Sequence, residues 1–151
     1  MLGAVSGSAP AVIVALVAGI AGSIQIAVNG ALGRRIGVLD AAAFGSIVAG
    51  ALIVCAALAV RNGDGIAAAF RAPWWMWLGG VMGALIVTGI TYAPSHIGVF
   101  ATIGLLIAGQ LVMGAFIDAF GLFGVDKIPL DLARVVGLAL LSGGAVLVLH
   151  R

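Results

Sequence analysis

Apolar residues fall in five blocks of about 20 between Pro10 and Leu149. None of the blocks alternates with period two, and about 20 apolar residues is the length at which a helix crosses a bilayer. The pattern therefore predicts five membrane-spanning helices. The first runs from Pro10 to Ala31, with Pro10 in the first turn, where its missing N–H costs nothing. The second runs from Asp40 to Val60, and Asp40 is the expected N-cap, facing the positive end of the helix dipole. Asn62-Gly63-Asp64-Gly65 is turn chemistry, and the bend leads into a short interfacial piece over Ile66 to Pro73. The third span covers Trp74 to Ala93 and stops at Pro94, because the residue before a proline avoids the α region. The fourth begins at Ser95 or His96 and ends near Asp118. A segment with Gly121, Gly124 and Pro129 precedes the fifth, Leu130 to Leu149. The chain is thus expected to be an all-α membrane protein with one transmembrane domain over residues 1–151.

Polar residues inside these spans are few. Ala18, Gly22, Gln25 and Asn29 share one stripe of the first span, and Gln110, Gly114 and Asp118 share one stripe of the fourth. Each stripe mixes small residues with hydrogen-bonding ones. One reading is packing, since small residues let helices approach and amides bond across for ~0.6–2 kcal/mol each. The other is function, because a polar group left facing lipid stays unpaired. Gln25, Asn29, Gln110 and Thr88 are the candidate substrate-binding residues. Thr88 and Thr91 have the competing option of bonding the carbonyl four residues earlier. Asp118 is either a helix-end residue at the headgroups or, if deeper, the proton-coupling candidate, since removal from water favours the uncharged form of a carboxylic acid. Gln25 lies ~8 Å past the middle of its span and Gln110 ~5 Å past the middle of its own, toward the opposite face, at 1.5 Å per residue. Two copies packed antiparallel would bring these amides to similar depths.

Composition agrees with a lipid solvent. The chain is 64% hydrophobic and 8% charged, with a mean hydropathy of +1.32, where a water-soluble domain carries about a quarter charged residues. It has no Glu, and its acids are Asp40, Asp64, Asp118, Asp126 and Asp131. The N-terminal MLGAVSGSAP lacks the basic stretch of a cleaved signal peptide, so the first helix is expected to be retained. Its basic residues are scattered, which argues against a nucleic-acid partner. Cys55 is alone, and no Ser-His-Asp, His-x-x-His or phosphate-loop pattern occurs, so neither catalysis, a cofactor nor a metal site is expected.

With five spans, Arg61, Arg71, Lys127 and Arg134 fall on one side and Arg34, Arg35 and Arg151 on the other. Orientation normally follows a clear Lys/Arg excess on the cytoplasmic side. Four against three is no such excess. Either the early Arg34 and Arg35 dominate, or copies insert both ways and pair head to tail. Antiparallel pairing would also supply the second inverted half that alternating-access carriers need. The expected function is a secondary active transporter of a small polar or amphipathic molecule, working as an antiparallel homodimer or as a heterodimer with a paralogue. The rivals are a small dual-topology ion channel and a non-transporting membrane subunit of a larger complex.

The order and spacing of several motifs resemble the YdcZ-like family of small bacterial inner-membrane proteins in the drug/metabolite transporter superfamily. They are Gln25-x-x-x-Asn29-x-x-Leu32-Gly33, the WWMWLGG segment followed by Gly83, and AGQ (108–110) leading to IDAFGLFG (117–124), with Arg134 and Gly137 in the last helix. Ile47 departs from the resemblance, which leads one to expect Phe after Ser46. The resemblance covers nearly the whole chain. It implies a multi-pass protein of the bacterial inner membrane, one five-helix half of a ten-helix transporter fold, completed by dimerisation, and export of a small molecule. The related small multidrug transporters use a membrane Glu, which this chain lacks.

Overall fold

The computed structural model describes residues 9–61 and 63–149. Regular structure among them is entirely helical: α1 (Ala9–Ile36), α2 (Val38–Arg61), α3 (Asp64–Ala69), a 3-10 turn (Trp74–Trp77), α4 (Leu78–Tyr92), α5 (Pro94–Ile97), α6 (Val99–Phe120), a second 3-10 turn (Leu122–Gly124) and α7 (Leu132–Leu149). Four stretches are long and apolar enough to cross a membrane: Ala9–Ile36, Val38–Val60, Trp74–Ile97 and Val99–Phe120. Leu132–Val148 is a shorter apolar helix. Most large apolar side chains on these helices are exposed, Leu52 at 67% and Leu140 at 71% for example. Such a surface suits hydrocarbon, in which helices satisfy their own backbone groups. The chain divides into two compact units, residues 1–95 and 96–151.

In the first unit α1, α2 and α4 pack against one another. The buried positions are small or short-branched: Ile26 and Asn29 on α1, Ala41 and Ala42 on α2, Ile90 and Thr91 on α4. Two α1 glycines make the close approach possible. A Cβ on Gly30 would come within 3.0 Å of the Pro94 ring, and one on Gly33 within 2.9 Å of Thr91 Cγ2. Small residues serve this purpose between helices that have no water to expel.

The α1–α2 corner is tighter than the sequence suggests. α1 runs on through Arg34 and Arg35, which form its last turn. Gly37 alone separates it from α2, at φ 95°, a conformation natural to glycine. The Gly37 N–H donates to the Gly33 carbonyl, and the Ala41 N–H donates to the Gly37 carbonyl. Asp40 is therefore not the N-cap of the second helix. It lies in the first turn of α2, where its charge still meets the helix dipole favourably.

A short helix, α3, covers the first part of the expected piece and begins two residues earlier than expected, at Asp64. Phe70 just beyond it packs edge-on against Trp77, with ring centroids 5.8 Å apart. The third span opens with the 3-10 turn of tryptophans before becoming α-helical at Leu78.

In the second unit α6 packs on α7. The fourth span begins at Val99 rather than at Ser95 or His96. Pro94–Ile97 is a separate single turn, and Gly98, with φ 81° and ψ 162°, interrupts the helix. Gly121 closes α6 in the left-handed conformation, its N–H donating to the Ile117 carbonyl, a common glycine ending. The following segment folds back, and the Ile128 N–H donates to the Asp118 carbonyl. α7 starts at Leu132, two residues later than expected, because Asp131 caps it. The Asp131 carboxylate accepts the Arg134 backbone N–H at 2.8 Å.

Candidate substrate groove and a buried amide

Gln110, Gly114 and Asp118 line one groove of the second unit, so the polar stripe anticipated on the fourth span is a real face of α6. The opposite wall comes from α7, with Arg134, Gly137 and Leu141, and the hollow has a volume of about 380 Å³. Asp118 lies near the C-terminal end of α6. Its Oδ2 accepts from Arg134 Nη1 at 3.3 Å. Neither side chain is buried: Arg134 is 40% and Asp118 37% exposed. Both backbones are held, Arg134 by the Asp131 cap and Asp118 by the returning Ile128 N–H. Gln110 is exposed in the groove, and eight residues of helix place it ~12 Å deeper than Asp118.

Sequence reasoning counted Arg134 only among the charges that bear on orientation and among the residues of the family resemblance. Here Arg134 lines the groove. Arg134 follows Asp118 by sixteen residues, across a loop, so no helical periodicity connects the two. The available signal was their joint place among the residues that carry the family resemblance.

The other candidates lie in the first unit. Asn29 is buried, 6% exposed. Its amide lies over Gly45 of α2, where a Cβ would come within 3.3 Å of Oδ1. Asn29 Nδ2 has no hydrogen-bond partner among the described residues. Gln25 shares the predicted stripe but is exposed. The packed residues Ile26, Gly30 and Gly33 define a contact face, and at 100° per residue Gln25 sits about 107° from its centre. Asn29 lies between the two. Thr88 donates its hydroxyl to the Ala84 carbonyl at 2.9 Å, and Thr91 to the Val87 carbonyl at 2.7 Å. Both thus bond their own helix, which leaves the Thr88 oxygen able to accept but not to donate.

The sequence model of the family described as "Putative inner membrane exporter, YdcZ" matches residues 10–147. The chain belongs to this family. The match takes in every helix from α1 to α7, and it makes the protein an inner-membrane protein of an exporter family, not of an enzyme family. No curated protein and no solved structure matches the chain.

Proposed function

We propose that the protein is a secondary active exporter of a small polar or amphipathic molecule, working by alternating access in an antiparallel dual-topology dimer. The observation that carries this reading is the α6–α7 groove, which places an amide and an ion pair on membrane-type helices of an exporter family. In this reading α7 is the fifth span, since its 18 residues reach ~27 Å, close to the hydrocarbon thickness. Five spans give the near-even charge distribution and leave each chain one half of an inverted pair. Gln25, Asn29, Gln110 and Thr88 contribute to recognition, and Asp118, near the end of α6 and paired with Arg134, is the proton-coupling candidate.

Asn29 presents a second, buried amide. A buried amide hydrogen without a partner costs about 1–3 kcal/mol, so its retention next to Gly45 fits a group reserved for a solute, a water or a second copy.

The test uses the purified protein in liposomes, with solutes first selected by thermal stabilisation. A carrier gives saturable uptake that is accelerated by solute on the far side. Conductance without exchange marks a pore, and absence of flux for every stabilising solute marks a non-transporting subunit. Gln25→Leu and Gln110→Leu are expected to lower transport while the dimer survives. Asp118→Asn decides the role of that carboxylate: loss of pH dependence with retained exchange marks it as the proton site, and unchanged pH dependence returns it to the helix end.

A further inference from the structure

We infer that the α6–α7 groove binds a small zwitterion, with an ammonium and a carboxylate group on an apolar body. This inference rests on the carrier reading above and names its substrate class. The groove contains one carboxylate, Asp118, and one guanidinium, Arg134. Their charges cancel, so a solute of net charge would meet one like charge wherever it met its opposite. A solute carrying both signs meets neither problem.

The ion pair is also incompletely used. Its single contact, Nη1 to Oδ2, is 3.3 Å long, beyond the ~2.7–2.9 Å of strong charge-assisted bonds. Among the described residues neither Asp118 Oδ1 nor the remaining guanidinium N–H groups meet a further protein partner, and both side chains are exposed. A guanidinium offers five donors, enough to hold a second carboxylate as a fork. Asp131 does not compete for it, because its carboxylate caps α7. The backbones that carry both charges are fixed at the groove's end, whereas the side chains stay open to a ligand. Leu111, Leu138 and Leu141 supply apolar wall, and Gln110 supplies a neutral amide further in.

The test is calorimetric titration of the full chain in nanodiscs of phosphatidylglycerol, which has no zwitterionic headgroup. Four probes share one isobutyl body: leucine, isopentylamine, 4-methylpentanoate and 4-methylpentanamide. Leucine is expected to bind at least tenfold more tightly than the other three. Asp118→Asn is expected to shift preference about tenfold toward 4-methylpentanoate, and Arg134→Gln about tenfold toward isopentylamine. The inference is overturned if a singly charged or neutral probe binds best to the unaltered chain, if no probe binds, or if both variants shift the same way. Should either variant fail to fold, the ranking on the unaltered chain decides. Loss of leucine binding in discs of phosphatidylethanolamine would instead assign the site to a lipid headgroup and overturn the soluble solute. Leucine binding without exchange across liposomes leaves this site standing and removes the carrier function. Exchange of another solute by a protein that does not bind leucine does the reverse.

Discussion

Asn29 and Gly33 show how one turn of helix separates packing from chemistry. Gly33 has no room for a methyl group, since Thr91 Cγ2 would be 2.9 Å from it. Gly33→Ala should cost about 1–3 kcal/mol of stability, the usual penalty for overpacking, read as a lowered Tm in detergent. Adding Thr91→Ser removes the obstructing methyl and should restore part of the loss; an undiminished Tm in the single variant would show that α1 and α4 do not approach so closely. Asn29 sits one turn earlier on the same helix and has the opposite character. Leucine has its branching and number of heavy atoms without the unpaired N–H. Asn29→Leu should therefore leave stability unchanged or raise it by about 1 kcal/mol, and lower transport. Destabilisation with full transport by the folded fraction would assign Asn29 to packing. The sequence showed that Gln25 and Asn29 share a stripe. It did not show that only Asn29 is buried, because the direction of the contact face depends on partners supplied by α2 and α4. Thr88 was legible in both its options, and its hydroxyl takes the local one.

At the level of elements, long apolar runs located the helices well, because length and lack of alternation leave little choice in a membrane. Their ends were less legible. Asp40 looked like a cap and is not, because Gly37 compresses the corner to one residue. Asp131 does cap α7, although the pattern of apolar residues placed the start at Leu130. The cap also fixes the backbone of the residue that meets Asp118. Asp131→Ala should cost about 0.5–2 kcal/mol, the usual value of an N-cap, seen as earlier thermal unfolding. In the carrier reading it should also weaken solute binding more than Asp126→Ala does. Equal effects of the two substitutions would separate the cap from the groove. The groove itself was half visible: the α6 face was read from spacing, whereas Arg134 comes from beyond a loop whose path, through Gly121, Phe123 and Gly124 at positive φ, no periodicity foretells.

At the scale of the whole molecule, the open question is how one chain of this size becomes a carrier. Many apolar side chains of both units are exposed, as lipid or a second copy requires. Under five spans the loop charges divide four to three, without the clear Lys/Arg excess that normally fixes one orientation. Antiparallel pairing answers both points, and its most direct test is the sidedness of one loop. A cysteine at the exposed Val125, between α6 and α7, in a Cys55→Ala background, can be labelled with a membrane-impermeant maleimide in intact spheroplasts and in inverted vesicles. The position reports orientation whether or not α7 spans the membrane. Dual insertion predicts that each preparation labels a substantial fraction, near one half, and that the two fractions sum to the whole. Labelling confined to one preparation would contradict it.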